Sequence, residues 1–384
     1  MENKELRVLQ LVKGIDIGNH SGGSDKFGLE LAKAMKRSGV NIHLTCMNRF
    51  GTETENAILD SLKDLGIPVK FIEGKNTLVK IFSPQLADYC RENHINIIHS
   101  HFQVGTLSAI RLKQLGYKGK IVRTAHIDKE WGDGILAWLM RQLFTKRIFP
   151  KQTDLQTGVS QNIVDSINAY PATKKSGRKA LVIHNGILKN WFLPIPNKSY
   201  PTSSKKVIGS IGLLIERKGF QYLIEAMPQV LDVYPESELI IVGEGPYRSV
   251  LEQKIRANGL GNKVSLLGLQ TNPRKWLEEM DLFVLPSLIE GLPTVIIESM
   301  ARGVPVIASD IAGNNELIID GESGWLFKSQ SVEQLANKII EAFHHSEKYE
   351  KISAQAYNWA HEFTIENAAK KYLALYDGLF KDQD

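Results

Sequence analysis

Phe283-Val284-Leu285-Pro286-Ser287-Leu288-Ile289-Glu290-Gly291-Leu292-Pro293-Thr294-Val295-Ile296-Ile297-Glu298-Ser299-Met300-Ala301 reads as a buried strand ending at Pro286, a polar turn, and a helix beginning near Pro293. Proline has no N–H to lose at a first helical position, so it marks a helix start. The amides of such a start, with the positive end of the helix dipole, suit an anion such as a diphosphate. Glu290 stands in the turn, and Glu298 follows about two helical turns later on the same side. Carboxylates only accept hydrogen bonds, which suits the hydroxyls of a sugar or ribose. Taken one at a time, such glutamates are more often a cap and a solvated helix residue.

Outward from this unit the same alternation runs through the chain. Short β-branched runs at 8–12, 42–46, 69–72, 95–99, 121–124 and 181–184 are separated by stretches of helical spacing such as 28–38 and 84–93. That pattern is β-α-β with a parallel sheet. A second series, at 206–211, 239–242, 263–267, 282–285 and 305–308, encloses helical stretches such as 219–231. Between the two series, 193–204 is rich in proline and small polar residues and reads as a linker. The predicted organisation is a first Rossmann-like, doubly wound domain at 1–192, a linker at 193–205 and a second such domain at 206–363. A helix over 364–384, with Tyr372, Leu373, Leu375, Tyr376 and Leu379 on one side, is expected to pack back toward the first domain. Such sheets bind ligands at the carboxyl ends of their strands, so a cleft between the domains is the expected site.

With 384 residues, 43% of them hydrophobic and 23% charged, the chain has the balance of a soluble globular protein with two cores. A net charge of +5 favours contact with phosphates or anionic headgroups and falls far short of a dedicated nucleic-acid binder. Cys46 and Cys90 have no metal-like spacing and form no disulfide framework, which fits a reducing cytoplasm. The apolar run at 8–12 is too short for an export signal, and no stretch approaches the roughly 20 residues of a membrane span.

The strand, the P-S-x-x-E-G turn, the E-x7-E spacing of Glu290 and Glu298, and the following 301–308 resemble the donor-site signature of the retaining glycosyltransferases of family four. That family lies in the glycogen synthase-like superfamily and has the two-domain GT-B fold. The resemblance extends in order over nearly the whole chain. Residues 209–220 are similar to the family's strand and phosphate loop, in which two cations neutralise the departing diphosphate. Lys218 matches the family lysine. Leu213 stands where many members have arginine after the glycine matched by Gly212, so Arg217 is the candidate second cation. At 240–246 the V-G-x-G-P form resembles the family's nucleotide turn through Gly243; Arg248 occupies the third-glycine place of a dinucleotide fingerprint. Leu269 falls in the stretch that meets the nucleobase.

In the first half, Gly22 and Gly23 resemble the family's glycine loop near donor phosphates and acceptor, although a tight strand-to-helix turn would read the same. His126 fits the T-x-H position near the transferred sugar, while His99 and His101 are expected to shape the acceptor floor. Isolated histidines are more often structural. Residues 183–187 resemble the N-G-[VI]-D crossover, with Leu188 in place of the aspartate.

What the resemblance implies is transfer of a hexose-type sugar from a nucleotide-diphosphate donor to a glycan or lipid-linked acceptor, in cell-surface polysaccharide or glycolipid assembly. Anomeric configuration would be retained with no metal or other cofactor. In that scheme Arg217, Lys218 and the helix start at Gly291, Leu292, Pro293 and Thr294 hold the leaving group. Glu290 holds the sugar, Glu298 the ribose and His126 the sugar's other edge. A sugar-nucleotide epimerase or hydrolase, and a catalytically silent sugar-binding member of the fold, stay open beside it. The expected compartment is the cytoplasm. Residues 131–149, strongly apolar with Arg141, Lys146 and Arg147, would dock at the inner face of an anionic membrane or form an ordinary buried helix with a basic end.

Overall fold

The computed structural model describes residues 5–17, 20–72, 84–128, 130–132, 134–192, 200–270 and 272–381. Most of the proposed linker, 193–199, and the only D-x-D match, 382–384, lie outside these. The chain forms two compact units, Met1–Gly186 with Ile365–Asp384, and Ile187–Thr364.

In the first unit the strands are β1 (Arg7–Val12), β2 (Asn41–Cys46), β3 (Val69–Phe71), β4 (Ile97–Ser100), β5 (Lys120–Ala125), β6 (Leu155–Gly158) and β7 (Leu181–Val182). They pair in the order β3-β2-β1-β4-β5-β6-β7, every pair parallel. The order reverses at β1 and β4, which is the topological switch point of a Rossmann-like sheet. Central strands are buried on both faces, which explains their continuous apolar runs. Leu9, Leu11, Ile98, Ile121 and Phe149 share one core. The helix Ile365–Lys381 packs on the helix Gly23–Arg37 of this unit.

The second unit contains β8 (Val207–Ile211), β9 (Glu238–Val242), β10 (Val264–Leu266), β11 (Leu282–Leu285), β12 (Val306–Ser309) and β13 (Trp325–Phe327), in the order β10-β9-β8-β11-β12-β13. All pairs are again parallel. Its core joins Ile208, Ile241, Val284 and Ile307 to Phe220, Leu335 and Phe343 of the flanking helices.

Two strands escape the pattern of apolar runs. β6 is Leu155-Gln156-Thr157-Gly158, whose polar residues are buried because neighbours satisfy them: Arg123 Nη1 donates to Gln156 Oε1 at 3.1 Å. β13 is only three residues long. The chain also enters the second unit at Ile187 rather than after 192. Trp191 is the reason: it is buried, Arg302 Nη1 donates to its carbonyl at 3.3 Å, and Arg274 lies 4.7 Å over its ring.

Candidate active site

The second unit gathers three loops at the carboxyl ends of β8, β9 and β11. After β8 the chain makes a short 3-10 turn, Glu216–Lys218, and reverses at Gly219 with φ +70° to start the helix Phe220–Val233. A Cβ at Gly219 would come within 2.0 Å of the Pro286 carbonyl oxygen, so only glycine lets this loop lie against the one after β11. Gly243, after β9, has φ +146°, and a Cβ there would sit 1.8 Å from the Gly212 oxygen. The loops are therefore stitched backbone to backbone. Leu288 N donates to Arg217 O at 2.8 Å and Gly212 N to Val242 O at 2.9 Å.

That stitching brings Lys218 and Glu290 into contact. Lys218 Nζ donates to Glu290 Oε1 at 2.6 Å, and the Ser287 hydroxyl donates to the same oxygen at 2.7 Å. The lysine side chain is 14% exposed and the glutamate 8%. Arg217 lies on the same turn, exposed, with Nη1 3.5 Å from the Ile289 carbonyl oxygen, the outer limit of a hydrogen bond. Leu213 is 55% exposed and supplies no charge.

Immediately beyond, the helix Thr294–Ala301 begins, with Pro293 as its N-cap at φ −76° and ψ 108°. Pro293 is thus one residue outside the helix rather than its first residue, because that ψ is extended. Gly291 and Leu292 are buried in the turn before it. First-turn amides lack the usual acceptor four residues back, and here Ile296 N turns to the Pro293 carbonyl at 3.1 Å. Glu298, on the same helix, is buried. Gly243 N donates to Gly268 O at 2.9 Å, and Leu269 stands 58% exposed beside this turn. Arg248 braces it, donating to Leu266 O at 3.2 Å and pairing with Glu244 at 2.9 Å.

In the first unit, Gly22 caps the helix Gly23–Arg37 with an extended φ of −97°. Neither Gly22 nor Gly23 has a positive φ, and a Cβ on either would meet no described atom within 4 Å. Among the described residues nothing requires glycine at either position. Buried Asp25 accepts from Lys13 N at 2.8 Å and Gly22 N at 3.2 Å. Burial pushes its carboxyl up, against the pull of those amides.

The histidines separate into two layers. His99 is fully buried, with Nε2 2.7 Å from Thr124 Oγ1 and Nδ1 2.7 Å from the Tyr376 hydroxyl. The Tyr372 hydroxyl lies 2.8 Å from the same Thr124. His99 therefore ties the sheet to the C-terminal helix, and its expected place on an acceptor floor is corrected: both ring nitrogens are spent inside the core. His101, 2% exposed, is corrected likewise. Its Nε2–H donates to Gln10 Oε1 at 2.6 Å, leaving the Nδ1 lone pair to accept from His126 Nε2–H at 3.2 Å. His126 alone is partly open, with Nδ1 left as an acceptor in its neutral form. Burial, with the positive Arg123 nearby, holds its pKa at about 3; burial also depresses His99 to about 3 and His101 well below the ordinary value.

Three contributors have no role in the motif reading. Ser287 fixes Glu290 from three residues away, and Tyr376 pairs with His99. Gln10 orients His101, and its signal is a polar residue in the middle of the apolar run of β1.

Two family profiles match the chain: Glycosyltransferase Family 4 over residues 21–188 and Glycosyl transferases group 1 over residues 194–359. A glycosyltransferase of Methanocaldococcus jannaschii is 43% identical over 101 residues, 26% of this chain and 25% of that protein, so the alignment spans about a quarter of this relative. The UDP-Gal:alpha-D-GlcNAc-diphosphoundecaprenol alpha-1,3-galactosyltransferase of Escherichia coli is 24% identical over 83% of this chain and 84% of its own length. Among solved structures, Anabaena Alr3699/HepE in complex with UDP and glucose superposes with a TM-score of 0.79 at 20% identity, covering 97% of this chain and all of that one. The two Rossmann-like units are those of the GT-B fold.

Proposed function

Because the chain belongs to glycosyltransferase family four, we propose that it moves a hexose-type sugar from a nucleotide-diphosphate donor to a glycan or lipid-linked acceptor in polysaccharide or glycolipid assembly, with retention of configuration and without a metal. The observation that supports this most is the Lys218–Glu290–Ser287 cluster, held by glycine-dependent loop contacts just before the helix start at Thr294.

The chemistry follows from what each group offers. As the bond from the anomeric carbon to the diphosphate breaks, negative charge grows on the leaving oxygens. Lys218, Arg217 and the amides of Thr294 and Val295 at the helix start are donors with no acceptor chemistry of their own, so they stabilise that charge as it forms. Glu290 has one oxygen committed to Lys218 and Ser287. Its other oxygen serves a sugar hydroxyl, and the pairing holds the lysine at a fixed reach. Glu298 takes the ribose. Gly22 and Gly23 admit the diphosphate close to backbone. His126, neutral at physiological pH, offers Nδ1 to a sugar hydroxyl. The departing diphosphate accepts the acceptor's proton on the face it leaves, which keeps the configuration.

UDP-sugars are the first donors to assay, since the Anabaena neighbour was crystallised with UDP and the Escherichia coli relative is named for UDP-Gal. Turnover in excess chelator should match turnover without it. Loss of activity that magnesium restores would reject the metal-free scheme. Lys218→Ala should lower kcat/KM about 100-fold or more; product formed at the parent rate would reject the role given to this lysine.

A further inference from the structure

The first unit carries a helix that is apolar on its outer side as well as on its inner one, where Phe149 enters the core with Phe144 and Ile148 packed against it. Helical backbone runs without interruption from Ile135–Met140 through the π-helical Arg141–Ile148 to Phe149–Gln152. Its inner side is fastened by polar bonds. Arg141 Nη1 donates to Glu130 O at 2.9 Å, the Thr145 hydroxyl donates to Glu130 Oε2 at 3.1 Å, and Trp131 Nε1 donates to the Thr145 oxygen at 3.0 Å. Its outer side carries Ile135 at 82% exposure, Leu136 at 71%, Trp138 at 53%, Leu139 at 50% and Leu143 at 48%. A helix on a globular surface ordinarily keeps its outer side polar, and a contiguous exposed apolar patch marks an interaction surface.

The surrounding charge selects the partner. Along the same outer side Leu139 and Leu143 are succeeded at helical spacing by exposed Arg147 and Lys151. The short helix Pro171–Ser176 packs against this run. Beside it a shallow pocket of about 290 Å³ is lined by Lys151, Ala172, Lys175, Ser176 and Arg178. Arg178 Nη1 donates to Thr153 O at 2.8 Å, which fixes the base of the guanidinium at that wall. Leucines and a tryptophan that merge into a row of cations match a bilayer with anionic headgroups, where side chains enter the acyl boundary and cations meet phosphates. No helix among the described residues is long and apolar enough to cross a membrane, so the contact is with its surface.

We infer that residues 135–151, with Lys175 and Arg178, dock the first unit on an anionic lipid surface. This goes beyond the transfer reaction and does not depend on it, because binding to vesicles needs no turnover.

The test is flotation of the full chain with vesicles of phosphatidylcholine alone or with about one-third phosphatidylglycerol. The chain should float with the anionic vesicles, at least about ten-fold more weakly with neutral ones, and progressively less as salt rises. Leu136→Glu with Leu139→Glu and Leu143→Glu should lose binding about ten-fold or more, and so should Arg147→Glu with Lys151→Glu. These positions are exposed, so the melting temperature should stay at the parent value, and the charge reversal tests the surface separately from the apolar change. No flotation at low salt, equal flotation with both vesicles, or parent-level binding by both variants would overturn the inference. So would a dimer in solution that the leucine variant dissociates, since the face would then belong to a second copy.

Discussion

Two ion pairs in this molecule join a cation to a glutamate, and they are built for different ends. Arg123 and Glu130 are 1% and 4% exposed. Arg123 also donates to Gln156 and lies 4.8 Å over the Phe149 ring, while Thr145 donates to the second glutamate oxygen. Lys218 and Glu290 share a single carboxylate oxygen with Ser287, on loops that run to an exposed arginine and a helix start. A pair buried among protein partners is a strut. A pair with capacity left over, at the end of a parallel sheet, is equipped for a ligand.

The largest effect should come from breaking the strut. Arg123→Met leaves a buried carboxylate without its partner and should cost about 3–5 kcal/mol in urea unfolding. Adding Glu130→Leu should restore most of that loss; a double variant as unstable as the single would mean that packing, not charge, is at stake. At the other pair the separation should invert. Glu290→Gln should leave the urea midpoint near the parent's while kcat/KM falls about 100-fold. Lost stability with intact specific activity would place Glu290 among the struts.

A smaller effect is expected at Gln10. Gln10→Leu leaves the buried His101 Nε2–H without an acceptor and should destabilise the chain by about 1–3 kcal/mol. It should also lower kcat more than it raises KM, because His126 loses its fixed tautomer. An unchanged kcat would leave Gln10 with a structural role only.

A further effect, read against pH, is expected in acid. His99 and His126 are held at about 3 and His101 well below the ordinary value, by burial first and neighbouring positive charge second. Unfolded histidines take up protons below about 6.5. The native state does not, so their contribution is complete above that pH and is lost as pH falls from about 6.5 toward 3. Unfolding midpoints over that window should decline, and His101→Gln should reduce the slope by one proton. An unaltered slope would show that His101 already titrates normally.

The fold and the motifs that hold Lys218, Glu290 and Glu298 were legible because they rest on local chemistry. Parallel strands buried on both faces write themselves as apolar runs, and Lys218, Glu290 and Glu298 stand in short motifs. β6 was not legible: Gln156 and Thr157 are buried only because Arg123 and Tyr372 reach them from elsewhere in the chain. The same applies to His99 and His101, whose partners Tyr376 and Gln10 lie 277 and 91 residues away. Glycine readings also divide this way. Gly219 is demanded by a visible clash with Pro286, whereas Gly22 and Gly23 are demanded by no contact among the described residues.

The account is tested most directly by titrating UDP into the parent and Lys218→Ala proteins in a calorimeter, both in chelator. A loss of affinity of about ten-fold or more in the variant, with its melting temperature unchanged, is the predicted result. Equal affinity in the two proteins would contradict the claim that this lysine receives the diphosphate.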